Sequence, residues 1–449
     1  MNYIKKTKIV STLGPSTSKK DTLLSMMKNG VNIFRINFSH ANYSDVTERV
    51  EMIRTLNKEE GFNTGILADL QGPKLRVGVM KDGVVVDDGD YIKFKTGEAF
   101  EGNAEEVYMN YNTFPQDVKA GEKVLLDDGK LIFEVISTNN TDEVKAKVLQ
   151  GGPLNSNKGV NLPNTEISLP AMTDKDIEDA EFACSLKVDW FALSFVRYAS
   201  DLKLLQKLIK KHSDHKIPII AKIEKPEGVR NIDKIIAYCD GLMVARGDLG
   251  VEIPAQEVPL VQKKLVQKAK EGRIPVIIAT QMMETMINSL TPTRAEVNDV
   301  ANSVMDGADA VMLSGETSVG KYPVQVINKM CEIINSVENS PLIKVPRDAP
   351  HVKTKRYMTK AVCYHAATMA NEIKATSIHT LTNSGYTAFQ ISAWRPSAHV
   401  LAFTSNERIL TQLSLLWGVR AFYYDKFEST DKTIEDVNNI AMESKYLKE

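Results

Sequence analysis

The chain has few cysteines, no long apolar run and no excess of charge of one sign. Each of these absences argues against one class of protein. Its 449 residues include four cysteines that lie far apart without a Cys-x-x-Cys pair, which argues against zinc and disulfide roles and predicts reduced core residues. The formal net charge of −1 gives no sign of a nucleic-acid partner. No apolar run approaches the length of a membrane span and the first residues contain no signal-peptide segment, so we expect a cytoplasmic protein without a membrane partner.

What the chain does contain is a repeated alternation of strand and helix patterns, over a length that predicts two or three domains. Eight apolar stretches are predicted as strands: Thr7–Leu13, Asn32–Phe38, Thr64–Leu70, Asp189–Phe195, Ile217–Glu224, Gly241–Ala245, Pro275–Thr280 and Ala308–Leu313. Helical spacing follows most of them, as in Lys19–Lys28, Tyr43–Glu60, Thr173–Ser185 and Ser200–His212. Eight such units predict a closed parallel TIM (β/α)8 barrel, an α/β fold whose active site lies at the carboxyl ends of the strands.

Two further segments depart from the barrel pattern. Between Gln71-Gly72-Pro73 and about Leu169, short alternating strands joined by Asp-Gly turns predict an inserted antiparallel β-barrel domain. An insert at the rim of the catalytic face is well placed to act as a lid. From about Val345, strands near Ser377, His399 and Arg420 alternate with helices and predict an open α/β domain. The predicted divisions are 1–72 and 170–344 for the barrel, 73–169 for the lid and 345–449 for the C-terminal domain.

Reactive polar groups follow several of the predicted strands. Side chains alternate along a strand, so Lys222 and Glu224 are expected on one face. The same rule groups Arg35, Asn37 and Ser39 on the second strand. The remaining strand ends carry Asp69, Asp248 and Thr280. These groups are either structural ion pairs or a catalytic rim, and five successive strand ends with ligand-type groups favour the rim.

The chemistry of these groups favours a phosphate substrate. Two carboxylates without a nearby His or Cys motif suit a hard divalent cation such as Mg²⁺ or Mn²⁺ rather than zinc. Arg35 and Lys222 add positive charge, which stabilises a phosphoryl group during transfer. The Thr280 hydroxyl can relay a proton, although it is too weak an acid to be the whole relay.

The ordered motifs of the chain resemble those of the pyruvate kinase family over nearly the whole length. IIAKIEKPEGV resembles the family's catalytic-lysine signature. Further segments match in the same order: KIVSTLGPS, RINFSH, LQGPK, KGVNLP, ARGDLG, ATQMMETM, PTRAEVNDVANSVMDGADAVMLSGET and GKYP. The resemblance implies a barrel, a β lid and a C-terminal α/β domain. It also implies the last step of glycolysis, in which phosphoenolpyruvate and ADP give pyruvate and ATP.

The resemblance also implies roles for individual residues. Lys222 and Arg35 contact the phosphoryl group, Glu224 and Asp248 hold the divalent metal, and Thr280 lies where the enolpyruvate is protonated. The substrate carboxylate binds the backbone of Gly247 and Asp248, at the start of a helix expected after the GDLG sequence. The nucleotide-contacting positions are Asn37, Ser39, His40, Arg76 and Lys158, although for His40 an ordinary rim histidine is an equal alternative.

One departure from the family pattern concerns monovalent cations. Potassium-activated members carry Asp-Thr-Lys-Gly-Pro-Glu after the third strand, whereas this chain has Asp69-Leu70-Gln71-Gly72-Pro73-Lys74 and resembles the potassium-independent branch. The monovalent-cation region then comprises Asn37, Ser39, Asp69, Leu70 and Lys74. We expect the Lys74 ammonium to take the place of K⁺, so that K⁺ is not required.

The C-terminal region raises two expectations. The loop Thr382-Asn383-Ser384-Gly385-Tyr386-Thr387 follows a strand and opens a helix, which suits the phosphate of a sugar-phosphate or nucleotide effector, with an ordinary helix-capping turn as the alternative. The chain ends at Leu447-Lys448-Glu449, before the last strands that the family pattern carries, which puts part of that pocket in doubt. The PTRAEVNDVAN segment resembles a helix at subunit contacts in the family, where homotetramers are usual.

Three alternative functions fit parts of the pattern. A Schiff-base aldolase needs a desolvated lysine of lowered pKa, whereas Glu224 favours a charged Lys222. A metal-dependent aldolase acting on pyruvate enolate is closer in chemistry but leaves the lid and the nucleotide motifs unexplained. A binding module that has lost its chemistry predicts damage at the catalytic positions, and none of them is damaged.

Overall fold

The first part of the chain begins a barrel. The structure, a computed structural model, describes residues 5–340, 349–350, 355–426 and 428–446, apart from the side chain of residue 40. The first elements in chain order are β1 (Lys8–Thr12), α1 (Lys20–Lys28), β2 (Ile33–Asn37), α2 (Tyr43–Glu60) and β3 (Gly65–Leu70). Helix α2 ends at Gly61, whose φ of 70° is a left-handed conformation that glycine adopts without strain.

A β-rich insert follows β3. Its elements are β4 (Val85–Val86), β5 (Tyr91–Lys95), β6 (Glu106–Tyr108), α3 (Phe114–Asp117), β7 (Lys123–Leu126), β8 (Leu131–Thr138), β9 (Glu143–Gln150), β10 (Gly152–Pro153) and β11 (Val160–Asn161). Six of them form one curled sheet in the order β11-β7-β8-β9-β5-β6, which is antiparallel except for the parallel pair β5 and β6. The insert has its own apolar core, in which Phe94 meets Phe114 and Phe133 edge to face.

The chain then returns and completes the barrel. The returning elements are α4 (Asp174–Ser185), β12 (Trp190–Leu193), α5 (Ala199–His212), β13 (Ile219–Ile223), α6 (Pro226–Arg230), α7 (Ile232–Ile236), β14 (Gly241–Ala245), α8 (Arg246–Glu252), α9 (Val258–Gly272), β15 (Val276–Ala279), α10 (Arg294–Asp306), β16 (Ala310–Leu313), α11 (Gly315–Ser318) and α12 (Pro323–Glu338). The eight barrel strands are parallel and close in the order β1-β16-β15-β14-β13-β12-β3-β2. The predicted barrel is therefore confirmed, and all eight predicted strands are present.

Two local predictions differ from the structure. Strand β2 ends at Asn37, and Ser39 lies in a 3-10 turn over Phe38–His40, so strand alternation does not extend to Ser39. The Asn37 side chain accepts a hydrogen bond from the Ser39 backbone N–H at 3.2 Å and ends the strand there. Helix α8 starts at Arg246, so the GDLG sequence lies inside the helix rather than before it.

The C-terminal region forms a separate, smaller α/β unit. Its elements are α13 (Tyr357–Glu372), β17 (Ser377–Leu381), α14 (Tyr386–Ala393), β18 (His399–Thr404), α15 (Glu407–Gln412), β19 (Val419–Tyr423) and α16 (Thr430–Glu443). Its three strands are parallel, with β18 in the centre, as predicted. The last residues, 447–449, lie outside the described part of the chain. No helix in the described ranges combines the length and the apolar character needed to cross a membrane.

Candidate active site

A cluster of charged side chains lies at the carboxyl end of the barrel, on β2, β3 and β13. Arg35 and Asp69 lie on neighbouring strands, and Arg35 Nε donates to Asp69 Oδ2 at 2.5 Å. Lys222 Nζ lies 3.1 Å from Asp69 Oδ1 and 3.1 Å from Glu224 Oε1. Lys222 and Glu224 therefore share one face, as alternation predicts. The cluster is buried, since Lys222 is 8% exposed and Glu224 1%.

The residues after β12 orient this cluster. Lys222 Nζ donates to Ser194 Oγ at 2.6 Å, and the Ser194 hydroxyl donates to the Leu70 carbonyl at 2.6 Å. The backbone N–H of Phe195 donates to Glu224 Oε2 at 2.7 Å. Phe195 has a φ of 52°, a left-handed conformation that is uncommon for a bulky residue. Such a backbone conformation is kept at functional sites where it aims a group, here an N–H toward a carboxylate.

Asp248 and Thr280 lie beside the cluster, after β14 and β15. Asp248 is in the first turn of α8 and is partly exposed, and its carboxylate accepts no hydrogen bond from the residues that the structure describes. The Gly247 backbone N–H donates to Thr280 Oγ1 at 2.7 Å, and the Thr280 hydroxyl donates to the Ala279 carbonyl at 2.6 Å. The family resemblance implies that the Gly247 N–H binds a substrate carboxylate, and in this structure that N–H donates to Thr280 Oγ1 instead.

Arg246 fixes the position of Thr280. Its guanidinium pairs with both carboxylate oxygens of Asp299 on α10, at 2.6 and 2.7 Å, and donates to the Thr280 carbonyl at 2.8 Å. Thr280 has a φ of 69° and Gln281 a φ of 55°. A left-handed backbone conformation costs energy for a residue other than glycine, and Thr280 is also β-branched. Contacts with the surrounding residues must therefore hold these two residues in place.

The electrostatics of the cluster follow from burial and from its opposite charges. Burial opposes ionisation of Asp69, but Arg35 and Lys222 outweigh it and lower its pKa. Burial likewise opposes the charge of Lys222, whose pKa is nonetheless raised by Asp69 and Glu224. Burial, and then the negative charge of Asp248, raise the pKa of Glu224 to about 7. Lys222 is therefore a cation, which disfavours its use as an amine nucleophile.

The pair Glu224 and Asp248 fits a divalent cation that also takes ligands from a substrate. The negative charge of Asp248 disfavours ionisation of Glu224, and a bound cation would remove that repulsion. Hard oxygen donors of this kind suit Mg²⁺ or Mn²⁺. Within the described residues, no group of three or more His, Cys, Asp or Glu side chains is arranged to hold a metal, so further ligands must come from substrate and water.

A cavity of about 70 Å³ lies between the insert and the barrel. It is lined on the insert side by Lys74, Val160 and Asn161 and on the barrel side by Phe195, Lys225 and Asp248. The side chain of Lys74 is exposed and donates no hydrogen bond within the described part of the chain. Arg76 and Gly159 face each other in an isolated bridge, which brings Arg76 beside Lys158. Lys158 Nζ lies 3.0 Å from Asp127. The His40 side chain lies outside the described residues.

The two chain segments that join the insert to the barrel are held by buried polar contacts. Where the chain enters, the Gly72 backbone N–H donates to Asp176 Oδ1 at 3.0 Å. Where it returns, the Arg197 guanidinium donates to the carbonyls of Ile167 and Leu169, both at 2.5 Å. Arg197 is 7% exposed, and its Nε has no partner among the described residues. These contacts fix the insert at its base.

Comparison with known families identifies the family to which the chain belongs. The family model described as pyruvate kinase, barrel domain, matches residues 4–327, and the model for the pyruvate kinase alpha/beta domain matches residues 360–449. The chain belongs to the pyruvate kinase family. Members of this family are phosphotransferases that use phosphoenolpyruvate and ADP and depend on a divalent metal, so the predicted function is confirmed, and the aldolase alternative finds no support.

Individual pyruvate kinases are similar to the chain over almost their full length. The pyruvate kinase of Corynebacterium glutamicum is 42% identical over 436 residues, which cover 97% of this chain and 90% of that protein. The pyruvate kinase of Mycobacterium tuberculosis strain H37Rv is 42% identical over 442 residues, 97% of this chain and 91% of that protein. A crystal structure of a pyruvate kinase from Cryptosporidium parvum superposes with a TM-score of 0.92 at 33% identity, covering 99% of this chain and 92% of that one.

The sequence analysis missed several residues that contact the charged cluster or Thr280. Ser194, which fixes Lys222, is the first polar residue after β12, so the rule applied to the other strand ends would have found it. Arg246 has a similar signal, because it directly follows β14. The Phe195 N–H carries no signal, because a backbone group that binds a side chain has no sequence pattern.

Proposed function

We propose that the charged cluster at the barrel mouth transfers the phosphoryl group from phosphoenolpyruvate to ADP, with Lys222 as the central cation. The observation that supports this most is the position of Lys222 Nζ, 3.1 Å from both Asp69 and Glu224. A fixed, buried ammonium stabilises negative charge as it moves from the substrate toward the nucleotide, without reorganising water first. Arg35, held by Asp69 and Thr12, supplies a second cation to the phosphoryl oxygens.

The enolate that remains must take a proton at carbon, and we assign this end of the site to Thr280. Its hydroxyl lies between the Gly247 N–H and the Ala279 carbonyl, and the Arg246–Asp299 pair holds its backbone. Thr280 orients and relays the proton rather than supplying it alone. The backbone at Gly247 and Asp248 lies at the N-terminal end of α8, which suits the substrate carboxylate once the N–H turns from Thr280 to the ligand.

Glu224 and Asp248 are the residues that would hold the divalent metal, Mg²⁺ or Mn²⁺. When bound there, the cation supplies positive charge to substrate oxygens. Phe195 orients Glu224 through its backbone N–H, and Asp248 has its oxygens available because the described residues give it no hydrogen bond.

The insert acts as a lid that carries part of the nucleotide site. Arg76 and Lys158 lie on adjacent segments of residues 73–169, and Asn37, Ser39 and His40 lie on the barrel side. The insert carries Lys158 together with its partner Asp127, and in the closed position it presents this ammonium to the phosphates and keeps water from the transfer. We propose that residues 1–72 and 170–344 form the barrel domain and that residues 345–449 form the C-terminal domain.

We propose that this enzyme works without K⁺. Lys74 lines the same cavity as Asp248, and its ammonium is exposed. This ammonium supplies the charge that the family resemblance assigns to a monovalent cation in the region of Asn37, Ser39, Asp69 and Leu70. Turnover is expected to change less than about twofold when KCl replaces tetramethylammonium chloride at constant ionic strength. A many-fold rise with KCl would contradict this assignment.

The C-terminal loop Thr382–Thr387 is proposed as an effector site for a sugar phosphate or nucleotide. Gly385 has a φ of 75° directly before α14, and a Cβ there would come within 3.1 Å of Leu413, so the loop geometry depends on glycine. We also propose a homotetramer in the cytoplasm. Leu290, Val297 and Met305 in and before α10 are exposed apolar side chains that such an assembly would cover.

The direct test is a coupled assay of pyruvate formation from phosphoenolpyruvate and ADP. Turnover is expected with Mg²⁺ or Mn²⁺ and is expected to disappear when EDTA removes the metal. Pyruvate formation at an unchanged rate in EDTA would exclude the metal role given to Glu224 and Asp248. The absence of transfer with every divalent cation tested would exclude the proposed function.

A further inference from the structure

We propose that Asn161, Glu252 and Lys225 form a latch that holds the insert closed over the barrel mouth, and that Asn161 is a positioning residue for phosphoryl transfer. The latch is defined by two contacts with one carboxylate oxygen. Asn161 Nδ2 donates to Glu252 Oε1 at 2.8 Å, and Lys225 Nζ donates to the same oxygen at 2.5 Å. Asn161 is the last residue of β11 in the insert, whereas the other two residues belong to the barrel.

The latch is buried and charged on its barrel side. Glu252 is 2% exposed and Lys225 6%. A hydrogen bond from an amide to a buried carboxylate is stronger than one between neutral groups, because the carboxylate is ionised and water is excluded. The insert therefore gains a directional contact with the barrel that depends on one side chain of its own, Asn161.

The latch is adjacent to both proposed metal ligands. Lys225 directly follows Glu224, and Glu252 is the last residue of α8, the seven-residue helix that begins at Arg246 and carries Asp248. The insert also approaches this helix at a second place, since a Cβ built on Gly129 would lie 4.0 Å from Val251. Closure of the insert is thus connected through short, rigid segments to the groups that bind metal and substrate.

The pairing of Glu252 indicates a contact that can be broken and remade. Glu252 Oε2 is buried without a hydrogen-bond partner among the described residues, next to the cavity between the insert and the barrel. Water that enters this cavity when the insert moves away can solvate both carboxylate oxygens and the Lys225 ammonium. Opening of the insert therefore replaces the hydrogen bond from Asn161 to Glu252 with hydrogen bonds from water. Lys225 balances the negative charge of Glu252 whether the insert is open or closed.

This inference rests on the proposed function, because the latch matters for catalysis only if Lys158 and Arg76 of the insert contact the nucleotide. If closure completes the nucleotide site, the apparent affinity for ADP is reduced by the fraction of molecules in which the insert is open. Phosphoenolpyruvate binds on the barrel and is affected much less.

The test compares Asn161→Asp with Asn155→Asp in the full-length enzyme. Both substitutions are nearly isosteric and add one negative charge to the insert, but Asn155 is exposed and makes no side-chain hydrogen bond with described residues. Asn161→Asp places a carboxylate against that of Glu252, and the repulsion favours the open insert. The KM for ADP is therefore expected to rise about tenfold. The KM for phosphoenolpyruvate is expected to change less than threefold, and Asn155→Asp to behave as the unchanged enzyme.

A double variant separates a latch from a general loss of structure. Asn161→Asp with Glu252→Gln exchanges the amide and the carboxylate across the contact and keeps one anion beside Lys225, so the KM for ADP is expected to recover to within threefold. Hydrogen exchange in residues 158–163 is expected to be faster in Asn161→Asp and to recover in the double variant, with Tm unchanged within 2 °C throughout.

Two results would overturn the latch. The first is a KM for ADP in Asn161→Asp equal to that of Asn155→Asp, and the second is a loss of Tm in Asn161→Asp that the exchange does not restore. Either result leaves the proposed function intact as long as the unchanged enzyme forms pyruvate. If the enzyme without substitutions forms no pyruvate, the proposed function itself is wrong, independently of the results with Asn161→Asp.

Discussion

The two ends of the barrel differ in how completely their acidic side chains are paired. At the amino end, Asp189, Asp240 and Asp309 each directly precede a strand and accept a backbone N–H from the start of a neighbouring strand. The donors are Ile66, Ile219 and Val276 respectively, at 2.7 to 3.0 Å. Each also pairs with at least one cation, drawn from Arg54, Lys216, Lys270 and Arg395.

At the carboxyl end, two of the acids, Asp69 and Asp248, are incompletely paired. Asp69 Oδ1 is in ion-pair contact with Lys222 but has no hydrogen bond within the described residues, and Asp248 accepts none. Buried polar groups without partners cost free energy, so a fold retains them where a ligand completes them. The difference indicates that acids at the amino end stabilise the barrel, whereas those at the carboxyl end are arranged for substrate and metal.

The largest expected effect comes from removing one carboxylate at the carboxyl end. Glu224→Gln keeps the volume but removes a ligand charge, and kcat/KM is expected to fall about 10³-fold or more. Because the pKa of Glu224 is raised to about 7, protons compete with the metal below pH 7, so the metal concentration for half-maximal activity of the unchanged enzyme should rise as pH falls from 8 to 6. A Glu224→Gln variant with normal metal dependence would place the metal elsewhere.

The matched change at the amino end is expected to affect stability instead. Asp189 accepts hydrogen bonds from Ile66 N–H at 2.7 Å and from the Thr411 hydroxyl at 2.5 Å, and it lies 3.0 Å from Arg54. Asp189→Ala leaves the buried Ile66 N–H unpaired, at a cost of about 3 kcal/mol, which is expected to lower Tm by about 5 °C or more. Scanning calorimetry measures this, and kcat should stay within twofold. A many-fold loss of kcat at unchanged Tm would erase the contrast between the two ends.

The smallest expected effect lies in the C-terminal domain and concerns pH. Burial, followed by Lys6, Arg420 and Lys8, lowers the pKa of His399 to about 4. The unfolded chain therefore binds a proton between about pH 6.5 and pH 4 that the folded chain does not, so folding free energy is lost as pH falls through this range. The loss at pH 5 is expected to be about 1 to 2 kcal/mol. His399→Gln should reduce the fall in Tm between pH 7.5 and pH 5.0, and an identical fall in both proteins would contradict the assignment.

The sequence predicts the barrel well because each strand is a local pattern. Apolar runs mark all eight strands, and alternation correctly puts Lys222 and Glu224 on one face. The pattern fails where a local conformation is set by distant contacts. The helix expected after Gly247–Gly250 in fact includes that stretch, because its surroundings outweigh the low helix propensity of glycine.

Contacts between distant residues are outside the reach of a single sequence. Asn161 and Glu252 are 91 residues apart, and nothing local pairs them. The Arg35–Asp69 pair depends on the register of β2 and β3, in which Asn37 lies beside Asp69. The aspartates at the amino end do have a sequence signal, because each stands directly before a strand, in VDWFAL, CDGLMV and ADAVML. An aspartate at that position is also common in ordinary turns, so the signal is not specific.

The most direct test of the central claim is the activity of Lys222→Met beside Asp189→Ala in one coupled assay with phosphoenolpyruvate, ADP and Mg²⁺. Lys222→Met removes the ammonium that lies between Asp69 and Glu224 and keeps most of the side-chain volume. We expect kcat to fall about 10³-fold or more in Lys222→Met and to stay within twofold in Asp189→Ala. Near-normal turnover in Lys222→Met would contradict the assignment of Lys222 as the cation that stabilises phosphoryl transfer.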